Sequence, residues 1–383
     1  MASIVYFTNL HTGFNNSLPT KIKRLARAAG LEKIVGKKSL TAVKVHFGER
    51  GNTAFIRPLL IRPVVDVLLE LGARPFITDS GTLYPGSRSN AVDHLNTAIL
   101  NGFAFPVVGA PLIIADGIDG RDEASVQVDL KHFDEVFIGS AIAHADSLVS
   151  LAHFKLHEAS GFGGAIKNVG MGSASRKGKM AQHSDVSPKV SSKKCIGCGV
   201  CLDQCIQGAI TLVEKAVAGA GQQAANATVA KVSRIDQDLC AGCARCIHVC
   251  PQEAISIDWE TNLPRFMEKM VEYTIGALRG KEDRSLFVNF LTQISPACDC
   301  YPFSDAPIVG DIGIAASTDP IAIDQACADL VNREPHLETS CLKGKGHCPD
   351  KMKAVYPHID WERQLIYGSQ LGLGSRQYEL VEV

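Results

Sequence analysis

Two segments decide how this chain is read: 195-CIGCGVCLDQC-205 and 240-CAGCARCIHVCP-251. Each spells C-x2-C-x2-C-x3-C, and the second repeats the first at a period of 45 residues. Three thiolates spaced two residues apart on a tight loop can each reach one iron of a cubane, while the backbone N–H groups between them point at the sulfides. A fourth ligand must come from farther along the chain. The segments that follow also correspond, Ala209-Ile210-Thr211-Leu212 against Ala254-Ile255-Ser256-Ile257. Zinc sites pair C-x2-C units instead of using runs of four cysteines, and structural disulfides belong to secreted chains, so both are the weaker readings.

The stretch 191–258 resembles the bacterial two-cluster ferredoxins. In that family the last cysteine of each run serves the other cluster. The resemblance therefore implies two [4Fe-4S] clusters, one on Cys195, Cys198, Cys201 and Cys250 and one on Cys240, Cys243, Cys246 and Cys205. The sequence departs from the family at Ile206, where a proline usually follows the fourth cysteine. It also carries a longer spacer, whose surplus, Ala216 to Ala230, reads as an extended loop or short helix.

The totals agree with a large α/β domain plus a small insert. The chain has 383 residues, 46% hydrophobic and 21% charged, as in a soluble globular protein. A net charge of -1 offers no basic surface to nucleic acid or anionic lipid. Thirteen cysteines, eight of them in the two runs, point to a reducing cytoplasm. The first residues carry no charged and apolar leader, and no apolar run approaches the ~18 residues of a membrane span. Oxygen-sensitive clusters would suit an anaerobic cell.

Outside the insert the expectation is a mainly parallel sheet with helices between its strands. Strands are predicted over Ser3–Phe7, Thr41–Phe47, Pro75–Thr78, Leu112–Ala115, Glu135–Ile138, Ser147–Ala152, Ser285–Leu291 and Pro307–Ala315. Helices are predicted over Thr20–Ala29, Pro63–Leu71, Leu263–Leu278, Thr318–Leu330 and from Trp361 on. The βαβ spacing places ligands beyond the carboxyl ends of the strands. That makes His46, Arg50, Asp79 and Ser80 candidates by position, with simple satisfaction of loop backbone as the alternative. The host domain is expected to be residues 1–190 and 259–383, interrupted by a ferredoxin-like domain at 191–258.

The densest polar segment follows the strand at Ser147: His153, Lys155 and His157, then Gly161-Phe-Gly-Gly164, Lys167, Asn168 and His183. Alternation puts His153, Lys155 and His157 on one strand face, and the glycines let backbone approach a ligand. A binding or catalytic role is read for His153, His157, Lys167 and His183. Farther on, Cys298 and Cys300 stand two residues apart, read either as ligands or redox groups or as incidental thiols. An extra metal site on His183, Cys298 and Cys300 is considered. Cys341, His347 and Cys348 lack a fourth ligand nearby.

Two further resemblances attach to these residues. The run from His144 to Asp185, together with SPACDC and STDPIAIDQA downstream, is similar to domain of unknown function 362, a family described only as iron–sulfur-centre proteins. More locally, His157, Lys167 and His183 around the GFGG turn resemble the nickel-pincer lactate racemases. That likeness implies Lys167 as a cofactor tether, His183 as a metal ligand and His157 as an acid/base. The second proton-transferring histidine of that family has no counterpart at Gly81-Thr82-Leu83-Tyr84. The function these features point to is an iron–sulfur oxidoreductase exchanging electrons with a redox partner protein and acting on a small anionic substrate. A non-catalytic electron carrier and a metal-cofactor isomerase are the alternatives.

Overall fold

The computed structural model describes residues 2–84, 86–183, 188–205, 208–215, 231–236, 239–240, 245–256 and 263–383. Ile206, the surplus at 216–230, Cys243 and Ile257 lie outside the described residues.

Seven-residue runs dominated by apolar and small side chains leave no solvent face, and both such segments lie inside the sheet. Ser147–His153 and Ser285–Leu291 are buried along their whole length and pair in parallel, Ser285 opposite Leu148 through Phe290 opposite His153. Around them the sheet has eight strands, in the order Tyr378–Glu382, Ser3–Asn9, Gly313–Ser317, Ser285–Leu291, Ser147–His153, Leu40–Val45, Arg74–Asp79, Leu112–Ile114. All neighbours are parallel except those of Gly313–Ser317, which is antiparallel on both sides. The expected mainly parallel α/β architecture is present. Residues before and after the cysteine runs contribute adjacent strands to the same sheet.

Period-two alternation feeds two separate cores. Leu148 and Phe287 point to one face, packing with Met270, Tyr273, Ile321, Ala326 and Leu365. Val149, Leu286 and Val288 point to the other, with Ile22, Leu25, Val64 and Leu68. Helices Leu263–Leu278, Pro320–Arg333 and Glu362–Gln370 therefore cover the first face, and Leu18–Ala28 and Arg62–Glu70 the second.

Two predicted strands change place. Glu135–Gly139 pairs antiparallel with Glu123–Gln127, away from the main sheet. The segment expected to be extended from Pro307 enters the sheet only at Gly313. Before that, Ile308 N–H bonds the Ile294 carbonyl (2.9 Å), so the chain is first used to close a loop.

Between Lys189 and Ser256 the described residues form small two-stranded pairs. Lys189–Val190 pairs with Ile255–Ser256, and Ile210–Glu214 with Lys231–Ile235. Their apolar residues build a third core of Cys201, Ile210, Ile235, Ile247 and Ile255, closed by Leu83 and Met180. Among the described residues no helix is long and apolar enough to cross a membrane.

Candidate functional site

The sequence repeat reappears as a repeated geometry. The Ala209 N–H donates to Cys205 Sγ at 3.3 Å, and 45 residues later the Ala254 N–H donates to Cys250 Sγ at 3.2 Å. Cys195 Sγ accepts from the Ser233 N–H at 3.4 Å, and Cys201 Sγ lies 3.1 Å from Ser233 Oγ. Cys195, Cys198, Cys201 and Cys250 line one cavity, with Ser233, Pro251 and Ile255. These are the four cysteines that the crossover rule groups together. Cys205, Cys240 and Cys246 pack on the same small core, while Cys243 lies outside the described residues. The twelve described cysteines are all free, so none of these sulfurs is spent in a disulfide. Four sulfurs lining one cavity, with backbone N–H groups donated to Cys195 and Cys250, are a donor set for a soft, thiolate-bound centre.

The second constellation is assembled from segments far apart in the chain. The strand Ser147–His153 ends at Phe154, whose N–H bonds the Phe290 carbonyl (3.0 Å). Lys155–His157 is a separate short strand paired with Gly161–Gly163. The expected single strand face is thus broken in two, because the edge of Ser285–Leu291 takes the backbone of Phe154. All three side chains still converge on one loop, Cys298-Asp299-Cys300. His153 Nδ1 lies 2.9 Å from Asp299 Oδ1, and Lys155 Nζ lies 3.3 Å from Oδ2. The other His153 nitrogen faces the Thr292 carbonyl at 2.9 Å. Both ring nitrogens therefore face acceptors, and His153 ties the loop to the Thr292 carbonyl. Burial alone would raise the Asp299 carboxyl. The adjacent His153 and Lys155 instead hold it well below the ordinary carboxylate range.

His157, Cys298 and Cys300 bring one ligand atom each within 4.8 Å of one another, so this cysteine-rich chain has a set able to hold a metal ion. Lys167 Nζ lies 3.6 Å from Cys298 Sγ. Hydrogen bonding from Cys300, and then Lys167 and His157, push the Cys298 thiol well below its usual range, against the effect of burial. Cys300 is pushed the opposite way, first by that same hydrogen bond and then by burial.

His183 is not one of the three grouped atoms, in contrast to the extra site considered from sequence. Its ring stacks on Phe266, centroids 4.9 Å apart, and burial, then Lys167 and His157, lower its pKa to about 3. The ring is neutral beside the site.

Lys167 is aimed by its own helix. Gly164 precedes Ala165–Gly170, and a Cβ there would run into the Asp324 carboxylate, which accepts from the N–H groups of Ala165 (2.7 Å) and Ile166 (3.0 Å). Glycine lets a carboxylate from a distant helix cap this short one. Gly163 has a similar use. A Cβ there would sit 3.2 Å from Lys167 Cδ and 3.6 Å from Lys155 Nζ, so the missing side chain leaves room between two ammonium groups.

The strand-end candidates form a supporting network. Asp79 is buried and paired with Lys44 at 2.9 Å, with Arg88 at 3.7 Å. Ser80 Oγ donates to the Gly172 carbonyl at 2.6 Å. His46 Nε2 lies 3.0 Å from an Arg88 nitrogen, whereas Arg50 is exposed. Sequence reading missed Arg88, Glu49, Tyr84 and Asp299. Arg88 pairs with Glu49 (3.1 Å) and donates to the Tyr84 hydroxyl (2.6 Å), which donates to the Cys300 carbonyl (3.0 Å). The only signal for Asp299 was its position between two cysteines.

Residues 41–329 match the family described as a domain of unknown function, DUF362. The chain is a DUF362 protein. The matched interval contains both the cysteine runs and the His157–Lys167–Cys298–Cys300 constellation of this DUF362 protein. No curated protein matches it. Among solved structures it is similar to the lactate racemase apoprotein from Thermoanaerobacterium thermosaccharolyticum, with 17% identity and a TM-score of 0.32, over 48% of this chain and 41% of that one. A protein from Thermotoga maritima is similar at 14% identity and a TM-score of 0.32, over 45% and 42%. The DUF362 chain spans less than half the length of either solved chain.

Proposed function

We propose that this DUF362 protein is a cytoplasmic iron–sulfur oxidoreductase. The segment 191–258, inserted between host portions 1–190 and 259–383, holds two [4Fe-4S] clusters on its eight cysteines. A redox partner protein exchanges electrons with them, and the His157–Lys167 site acts on a small anionic molecule. When bound, such a centre supplies or accepts single electrons at a potential tuned by hydrogen bonds to its sulfurs. Lys155 and Lys167, on either side of Gly163, attract and orient the anionic group, and His157 moves a proton to or from it. Lys44, Arg88 and Asp299 fix the surrounding shell.

One observation carries the reading. The cysteine core closes on Met180 and Leu83, and Leu83 is next in sequence to Tyr84, whose hydroxyl bonds the Cys300 carbonyl. One peptide bond and one hydrogen bond thus link the cysteine core to the Cys298–Cys300 loop.

Anaerobic purification with metal analysis and EPR of the dithionite-reduced protein tests it. About eight iron atoms per chain are expected, four per cluster. Zinc in their place ends the reading. A small-molecule screen by melting temperature is the second arm: cluster reduction with no ligand-induced shift in wild type would leave a carrier and no enzyme. The grouping of His157, Cys298 and Cys300 favours one further reading, a metal-cofactor isomerase with accessory clusters. Nickel at one atom per chain would select it.

A further inference from the structure

We propose that Cys298 and Cys300 are a redox-active pair that cycles between dithiol and disulfide, collecting single electrons and passing them two at a time to a disulfide of low molecular mass. The electron supply rests on the oxidoreductase reading above. The pair itself rests on its own geometry.

A buried incidental thiol has apolar neighbours, as free cysteines usually do. Cys298 is fully buried and has donors instead: Lys167 Nζ at 3.6 Å, the Cys300 N–H at 3.4 Å and a His157 nitrogen within 4.8 Å. Reactive cysteines sit in electropositive surroundings of this kind. His157 Nδ1 accepts the Ala159 N–H at 3.1 Å, so the ring proton belongs on Nε2. With one nitrogen accepting and the other protonated, the ring serves a sulfur anion better than it serves a metal. Asp299, clamped by His153 and Lys155, fixes the turn that holds both sulfurs on one side. Cys300 is the partly exposed member and the one a substrate meets.

The cycle balances. Cys300 attacks the substrate S–S bond as its proton passes to Cys298, a mixed disulfide forms, and one substrate thiolate leaves. Cys298, deprotonated beside Lys167 and His157, then attacks the mixed disulfide. The Cys298–Cys300 bond forms and the second substrate thiol is released. Two electrons, which the iron–sulfur centres would supply, and one proton break that bond and restore the reduced pair, with Cys300 protonated and Cys298 as the thiolate.

The test uses anaerobically purified whole protein, its cluster EPR signal recorded first. Samples are equilibrated at graded ratios of reduced to oxidised glutathione, quenched with iodoacetamide under denaturation, and the peptide holding Cys298 and Cys300 is weighed. The expected result is a two-electron transition in which both thiols are alkylated or neither is. Cys298→Ser should leave Cys300 as a mixed glutathione adduct. Lys167→Met should shift the equilibrium about tenfold toward the disulfide, ~30 mV, because the cation favours the reduced, anionic form. Two thiols alkylated at every ratio overturn the inference, as do thiols that become alkylatable only after a chelator removes a metal. A silent pair with a normal cluster signal removes this inference alone. A cycling pair with no cluster signal keeps the pair and removes the proposed electron supply.

Discussion

The two sulfur-rich regions of this molecule are built in opposite ways. Around Cys195–Cys250 the cysteines are local: each run holds four within eleven residues, and the fold has only to bring two copies together. Around Cys298 and Cys300 the neighbours come from residues 153–167 and from the strand ends near Asp79, more than a hundred residues away. A local site tolerates changes in its host, while an assembled site depends on the whole sheet.

Four substitutions sharpen or break that contrast. Cys198→Ser should cost about half of the bound iron and one EPR-detectable centre, yet leave the melting temperature of the host unchanged. A large loss of host stability would show the cysteine segment to be structural. Asp299→Asn should act in reverse, leaving the EPR signal intact. It removes the carboxylate that faces buried His153 and Lys155, a loss worth about 3–5 kcal/mol in urea unfolding. Gly170→Ala forces a Cβ against the Met270 carbonyl and Thr274 Oγ1, where two helices touch, and should cost about 1–3 kcal/mol by the same measurement.

The smallest effect is expected at Glu268, where burial opposes ionisation but Lys131, His132 and Arg363 hold the carboxyl down to about 2 from 4.5. A depressed carboxylate contributes stability above the unfolded value and loses it as pH falls through the folded one. Glu268→Gln should therefore lower stability at neutral pH by about 1 kcal/mol. It should also flatten the decline between pH 4.5 and 2, read from melting temperatures across that range.

What the sequence conveyed follows the same division. The fully buried runs at Ser147 and Ser285 are legible because an interior strand has no polar face, and Leu263–Leu278 because its apolar period is long and uninterrupted. Tyr378–Glu382 is an edge strand with polar residues on its open side and reads as a tail. The helix Ala91–Leu100 leaves Val92, Ile99 and Leu100 exposed, so its apolar pattern does not mark one face. At the site, the density of His, Lys and Gly singled out residues 153–167, whose side chains the fold brings to the Cys298–Cys300 loop. Spacing alone exchanged His157 for His183 beside the cysteines, and gave Arg88 and Glu49 no signal, because their partners are fixed by tertiary pairing.

The stack of His183 on Phe266, together with the Lys269 ammonium on the Ala181 carbonyl (3.1 Å), fastens the two points where the cysteine-bearing segment leaves and re-enters the host. Residues 181–183 and 266–269, on either side of that segment, are neighbours. A gene in which a short turn replaced everything from 184 to 262 would still encode a chain whose flanking helices meet, so the cysteine-bearing segment is of the kind that recombination can gain, lose or exchange without redesigning the scaffold beneath it.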